Sequence, residues 1–239
     1  MKIFTAAFTF VFVFLLAASV QAKMQHDPRR TLFVPTGQTT LMLEAPLGMC
    51  FADPSRKSEG ALYDFFNDYL RTEGDSMLLG VFANCTSLVN AGNPENPEGD
   101  VVTAGIVTWA NPAIGETLDI ALADYIDLRA ESFREYAQLR LSSWVDFTTN
   151  NGEEGSEVNG VLLDEAVTRS KDGVSIGFSE DLRIRYRDYT TIAILGTTSL
   201  KTRPIEVLLR LNNKDDLYDM KQAHDLMHKF LAQQVALNR

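Results

Sequence analysis

The sequence has few of the residues and segments that many functional classes require. It contains two cysteines and three histidines in 239 residues, and its 22 basic residues are outnumbered by 32 acidic ones, giving a net charge of −10. An acidic chain is repelled by phosphate backbones and anionic lipid surfaces, so nucleic acid is not an expected partner. Beyond residue 22 no apolar run is long enough to span a bilayer. No cofactor is expected, and the predicted partner is a protein or small molecule of unknown identity.

The first feature that is present is an export signal. An uncharged stretch, residues 3–20, is dominated by Phe, Val, Leu and Ala, and Val20 and Ala22 supply the small residues of a cleavage site. This pattern predicts a secretory signal peptide, residues 1–22, with the mature protein beginning at Lys23. A retained membrane anchor is the alternative, but the small residues favour cleavage. The residue directly after the cleavage point is lysine and not cysteine, so no lipid anchor is expected and the predicted location is periplasmic or secreted.

The two cysteines, Cys50 and Cys85, both lie in the mature chain. In an oxidising compartment an isolated pair is expected to form a disulfide. Their separation of 35 residues would restrict the unfolded chain by roughly 3–4 kcal/mol in the chain-entropy model. A redox-active pair and a metal site are the alternatives. Redox thiols favour a CxxC spacing, and a zinc site needs more ligands than three scattered histidines supply.

The order of apolar segments predicts an α+β fold: an antiparallel β-sheet packed with three α-helices. Residues 1–22 are the signal peptide, residues 23–38 a flexible lead-in, and residues 39–239 a single domain. The predicted strands are 39–45, 49–51, 77–84, 101–109, 161–168, 174–178, 189–198 and 205–211, and the predicted helices are 58–72, 117–142 and 214–237. Adjacent strands joined by short turns imply antiparallel pairing.

In this order of elements the chain resembles the Mog1/PsbP-like superfamily. The resemblance rests on the strand break Ala45-Pro46-Leu47-Gly48, the long helix from Thr117, and the run TTIAILGTTSL followed by PIEVLLRL before the last helix. It covers most of residues 39–236. The resemblance implies a twisted antiparallel sheet combined with helices. Because members are mostly accessory or interaction proteins, it also implies a binding or assembly role and transfers no catalytic residue.

The segment Gly173-Val174-Ser175-Ile176-Gly177 matches the GxSxG pattern of serine hydrolases. Asp188 or Asp215, and then His224, follow in the chain order of an α/β-hydrolase. That chemistry needs the serine on a strained turn between a strand and a helix, whereas Ser175 lies inside an alternating strand. We therefore expect an outward-facing strand serine and no catalytic residue. A periplasmic serine hydrolase using Ser175 is the alternative.

His224 and His228 are four residues apart on the last predicted helix, so both rings project from one face. The spacing can chelate a metal and resembles the HExxH motif, but Asp225 replaces the glutamate and no third ligand is identifiable. Structural or surface roles are therefore expected and no metal site is predicted. A metal-binding exported protein using His224 and His228 is a further alternative.

Two acidic loops offer oxygen ligands of the kind that calcium prefers. Neither has the alternating register of an EF-hand loop, so solvated loop charge is expected. Their candidate residues are Asn93, Glu95, Glu98 and Asp100 in one loop and Asp146, Glu153 and Glu154 in the other.

Aromatic residues of the first two predicted helices, such as Phe65, Phe66 and Tyr125, are expected in the core, although a groove between the sheet and the long helix could hold an apolar ligand. No set of residues specifies a reaction. The sequence thus predicts an exported accessory or binding protein of unknown specificity and without enzymatic activity.

Overall fold

The computed structural model describes residues 29–36, 39–72, 76–90, 105–110, 120–151, 157–184, 187–213 and 218–239. The predicted signal peptide lies outside these residues. The strands within them are β1 Thr31–Thr36, β2 Thr39–Glu44, β3 Met49–Phe51, β4 Met77–Asn84, β5 Gly105–Ala110, β6 Glu157–Ser170, β7 Gly173–Ile184, β8 Arg187–Leu200 and β9 Arg203–Asn212. The helices are α1 Lys57–Thr72, α2 Cys85–Asn90, α3 Leu122–Asn151 and α4 Met220–Leu237.

Seven of these strands form one sheet in the order β3-β4-β5-β9-β8-β7-β6, and β1 pairs with β2 in a separate hairpin. Every pairing among the described strands is antiparallel. The predicted combination of helices with an antiparallel sheet is therefore present. The described residues contain a fourth helix, the short α2, in addition to the three that the sequence predicts.

Helices cover both faces of the large sheet. On one face, here called the α3 face, Val174, Ile176 and Phe178 of β7 join a core cluster with α1 and α3. On the other, the α4 face, Ile192 and Ile194 of β8 pack with α4 and the β1–β2 hairpin. Because successive strand residues point to opposite faces, the central strands are apolar on both sides.

Aromatic packing joins α1 to α3. The Trp144 ring lies 5.1 Å from Tyr69 and 5.9 Å from Phe65, measured between centroids, with interplanar angles of 89° and 87°. Edge-to-face contacts of this kind add to the stabilisation from burial. Phe66 and Tyr125 are also buried, as the sequence predicts for core positions.

Helix α3 continues past its predicted end at residue 142, through part of the segment expected to be an acidic loop. Trp144 and Phe147 are buried on this extension, and helical spacing keeps them on the packed side. The hydroxyls of Thr148 and Thr149 donate to carbonyls four residues earlier. Packing thus extends the helix where composition alone indicates a loop.

Residues 31–36 form β1 although the sequence places them in a flexible lead-in. All six pair with β2, from Thr31 opposite Glu44 to Thr36 opposite Thr39. Leu32 and Val34 also pack against the core of the α4 face. The prolines and glycine of this region indicate a flexible segment, but the segment Thr-Leu-Phe-Val has the residues that strands favour.

The predicted Cys50–Cys85 pair is at disulfide-bonding distance, with 2.06 Å between the Sγ atoms. Cys50 lies in β3, the short strand at one edge of the sheet, and Cys85 begins α2. The bond therefore ties the edge strand to the segment after its neighbour β4. Within the described ranges, no helix is both long and apolar enough to cross a membrane.

Candidate functional site

The GxSxG segment lies in β7 beneath helix α4. Every second residue of β7 faces this helix, and at these positions the sequence has Gly173, Ser175 and Gly177. The space between strand and helix is restricted there. A Cβ added to Gly173 would lie 2.5 Å from Leu231 Cδ1, and one added to Gly177 would meet Met220 Sδ. The small residues of the motif therefore allow the helix to approach the strand closely.

Helix α4 positions two histidines over Ser175. Asp219 caps the helix in a reciprocal arrangement with Gln222, which fixes its first turn. His224 and His228, one turn apart, then both point at the strand. Ser175 Oγ lies 2.8 Å from His224 Nδ1 and 3.2 Å from His228 Nε2.

An acidic side chain completes this group. Asp164 Oδ2 on β6 lies 3.8 Å from His224 Nε2, too far for a hydrogen bond but close enough to favour a proton on that nitrogen. The Ser175 hydroxyl then donates to His224 Nδ1, and His228 Nε2–H donates to Ser175 Oγ. We call these four residues, Asp164, Ser175, His224 and His228, the serine–histidine cluster.

Both histidines favour the neutral form. Burial lowers the pKa of His224, and the Asp164 carboxylate offsets this only in part. Burial also lowers the pKa of His228, and the neighbouring His224 lowers it further. A neutral His224 with its proton on Nε2 leaves Nδ1 free to accept the serine proton.

The order Ser–His–Asp is that of a catalytic triad, but Ser175 cannot meet a substrate in this structure. Its exposure is 0%, so the expectation of an outward-facing serine is wrong: helix α4 covers the side of β7 on which it lies. Its strand is paired on both sides, with Thr168 and Gly196 opposite. The surrounding amides belong to these ladders and form no oxyanion hole.

Neither of the two acids proposed from chain order is seen at the cluster. Asp188 is exposed and pairs with Arg183 at 2.9 Å, and Asp215 lies outside the described residues. Asp164 was missed because β6 is irregular between Leu163 and Val167. Its place beside His224 follows from strand pairing and has no signature in sequence spacing.

The two histidines considered as metal ligands bind the serine hydroxyl instead. His224 and His228 do lie on one side of α4, but their facing nitrogens share the Ser175 hydroxyl. In the part of the chain that the structure describes, no three His, Cys, Asp or Glu residues are arranged to hold a metal ion. Of the calcium candidates, Asp146 is on α3 and the others lie outside the described residues.

A second polar group, not foreseen from the sequence, is buried on the α3 face around Glu206. Its Oε2 accepts hydrogen bonds from Trp109 Nε1 at 2.8 Å and from the Tyr136 hydroxyl. Arg140 lies 3.5 Å and Arg129 3.7 Å from the same carboxylate. Burial, and next the Glu206 charge, raise the pKa of Tyr136, which therefore stays protonated.

A buried ion pair lies beside it. Arg210 Nε donates to Glu180 Oε2 at 2.9 Å, and Thr191 donates to the same oxygen. The Arg210 guanidinium stacks over Trp144, 4.1 Å from the ring centroid. Charged residues inside the apolar run PIEVLLRL, Glu206 and Arg210, are the sequence signal for this group, because strand alternation places both on one face.

A cavity adjoins both buried charge groups, between α3 and the sheet. Its volume open to the centre of a water molecule is about 30 Å³. Its lining residues are Tyr69, Trp109, Arg140, Leu141, Trp144, Phe178, Leu195, Leu208 and Arg210. This space holds one or two water-sized species and is too small for the apolar ligand considered from the sequence.

No protein-family model matches the chain, and no curated protein matches it significantly.

Proposed function

We propose that this protein is an exported accessory protein that acts by binding a partner protein or small molecule and carries out no catalysis. The burial of Ser175 carries the proposal. Its hydroxyl is 0% exposed and hydrogen-bonded to both histidines, and its strand is paired on either side. Such a group gives one ring nitrogen of each histidine a buried hydrogen-bond partner and holds helix α4 against the sheet, which is a structural role.

The proposed export has two supports. Residues 1–22 have the charge and small-residue pattern of a cleavable signal. The Cys50–Cys85 pair is at bonding distance, and disulfides persist in oxidising compartments outside the cytosol. The proposed location is the periplasm or the extracellular space.

The Mog1/PsbP-like resemblance supports an accessory role as part of the same proposal. The hairpin β8–β9 leads toward the C-terminal helix α4, as the resemblance implies, and the sheet is antiparallel with helices on both faces. Fold-level likeness transfers no activity by itself. The proposal therefore specifies a class of role and names no partner.

A fluorophosphonate probe, which labels activated serines, tests the absence of catalysis. The folded mature protein and its Ser175→Ala variant are treated side by side and compared by in-gel fluorescence. Equal background signal is expected from both. Labelling of the parent protein that disappears in Ser175→Ala would overturn the proposal.

A serine hydrolase is the second candidate, because Ser175 Oγ and His224 Nδ1 are within hydrogen-bonding distance at 2.8 Å, the arrangement in which a histidine base can take the serine proton. It requires helix α4 to move away from β7 before substrate can enter. In that case labelling would be lost in both Ser175→Ala and His224→Ala. Retention of the label in His224→Ala would count against this candidate, since the histidine supplies the base.

A further inference from the structure

Three side chains of different chemistry meet where helix α4 begins beside β6. Asp164 lies in the irregular part of β6, between Leu163 and Val167. Met220 is the first residue of α4, and His224 follows one turn later. Because helical residues four apart project from one face, the thioether and the imidazole lie one above the other on this helix.

The two ring nitrogens of His224 have different surroundings. Nδ1 lies 2.8 Å from Ser175 Oγ. Nε2 is buried and has no hydrogen-bond partner among the described residues, and the side chain is only 8% exposed. A buried polar atom without a partner is unfavourable, so a group that binds this nitrogen would be stabilising.

Gly177 on β7 leaves room for such a group. A Cβ added there would meet Met220 Sδ and lie 3.2 Å from His224 Nε2. The sulfur and the nitrogen therefore face the same space, which the absence of a side chain at Gly177 leaves open. The Asp164 side chain is 31% exposed, so an ion can approach along it from solvent.

The distance between Asp164 and His224 fits a shared metal ion. Oδ2 and Nε2 are 3.8 Å apart, which is beyond hydrogen-bonding range. Nitrogen and oxygen ligands that each lie about 2.0–2.1 Å from one metal ion are separated by roughly 3–4 Å. An ion between the two atoms can therefore contact both in the present geometry.

The hydrogen bonds behind His224 also fit a metal-bound ring. A metal-bound imidazole generally donates its other N–H to a neighbouring acceptor, which fixes the ring. With a metal ion in place of the proton on Nε2, His224 Nδ1–H donates to Ser175 Oγ, and the serine hydroxyl donates to His228 Nε2. The distances of 2.8 and 3.2 Å accommodate this direction, and both histidines stay neutral.

The ligand atoms indicate which metal the site would take. Thioether sulfur selects copper(I), imidazole binds copper as well as zinc, and carboxylate oxygen by itself suits magnesium, calcium or manganese. Copper is the metal that the sulfur and the nitrogen both favour. We infer that Asp164 Oδ2, Met220 Sδ and His224 Nε2 bind one copper(I) ion. The site uses the ring nitrogen of His224 that faces away from Ser175, so it does not depend on whether the serine is catalytic.

Anomalous diffraction at the copper absorption edge tests the position of the ion. The mature protein is crystallised anaerobically with copper(I) and ascorbate. One anomalous peak is expected, roughly 2.0–2.4 Å from His224 Nε2 and Met220 Sδ. The absence of a peak from the space beside Gly177 would overturn the inference.

Competition with a chromophoric copper(I) chelator tests the same site in solution. All proteins carry His26→Ala, so that the third histidine of the chain does not contribute. The parent should bind one equivalent of copper(I). Met220→Leu and His224→Gln should each weaken binding by about tenfold or more, because even groups outside the ligand set are worth this much.

Met227→Leu is the matched control for Met220→Leu. Met227 lies two turns further along α4, where it packs against Gly196, and leucine replaces methionine at nearly constant volume. This variant should bind copper(I) as the parent does. Equal affinities of Met220→Leu and Met227→Leu would contradict the role of the Met220 sulfur, and tighter binding of zinc than of copper(I) would overturn the choice of metal.

Discussion

Ser175 Oγ lies 2.8 Å from His224 Nδ1 at the centre of the contact between β7 and α4, with Ser175 wholly buried. The contact joins a strand serine to a helix histidine 49 residues away. The serine–histidine cluster therefore holds α4 against the sheet. Substitutions in it should lower the free energy of unfolding.

Replacement of Ser175 by alanine should destabilise the fold by about 1–3 kcal/mol, because two buried ring nitrogens lose their common partner. Urea unfolding measures this change. Ser179→Ala is the matched control, since Ser179 lies on the same face of β7 and is half-buried. If Ser175→Ala is as stable as Ser179→Ala, the cluster does not hold α4 against the sheet.

Stability should fall as the pH drops below about 6.5, the ordinary pKa of histidine. Burial lowers the pKa of both His224 and His228, so the unfolded chain takes up protons first and is favoured as pH falls. Above that pH both states hold neutral rings and the contribution is fully present. Urea unfolding between pH 7.5 and 5.5 measures the loss.

The third histidine of the chain provides the control for this pH dependence. His26→Ala should keep the decline, whereas His224→Gln/His228→Gln should flatten it. An unchanged pH slope in the double variant would mean that other groups cause the decline.

Gly173→Ala should destabilise the protein by about 1–3 kcal/mol through overpacking. The new Cβ would meet Leu231 Cδ1 at 2.5 Å and the Thr197 carbonyl oxygen at 2.7 Å, and the backbone contact cannot be relieved by a rotamer change. Gly160→Ala, on β6, has its nearest contact at 3.8 Å and should have a smaller effect. Guanidinium unfolding measures the stability of both variants. A larger loss in Gly173→Ala shows that the close approach of α4 requires small residues on β7.

Thr202→Gly should stabilise the β8–β9 hairpin by about 1 kcal/mol. Thr202 and Lys201 have φ angles of 67° and 48°, a conformation that two-residue hairpin turns need but that is unfavourable for a β-branched residue. Glycine relieves this strain, partly offset by the greater freedom of its unfolded chain. Thr202→Ala keeps a Cβ and should gain less; an equal gain would rule out backbone strain as the cause. Melting temperatures provide the measurement.

Much of the fold follows from local sequence signals. Strand β3 at residues 49–51 and β4 at 77–84 match their predicted ranges, because turn residues bound short apolar runs. Helix α3 runs nine residues beyond its predicted end at residue 142. Its last turns depend on Trp144 and Phe147 packing against α1, which is a tertiary contact that composition does not show.

The site was predictable only in part. Helical spacing correctly places His224 and His228 on one face of α4. Alternation in β7 shows that Ser175 and its neighbours point to opposite faces, but it does not show that a helix covers the serine side. Asp164 reaches His224 across an irregular strand pairing, so it could be found only from the three-dimensional structure.

The central claim is that the protein is exported and that helix α4 keeps Ser175 inaccessible to substrate. Mass spectrometry of the intact protein tests it most directly. The full chain is expressed with its own leader, recovered from the exported fraction, and incubated with a fluorophosphonate under native conditions. We expect one species that begins at Lys23, is oxidised at Cys50–Cys85 and carries no adduct. A probe adduct that maps to Ser175 would contradict the inaccessibility of this serine. An uncleaved chain confined to the cytosol would contradict export.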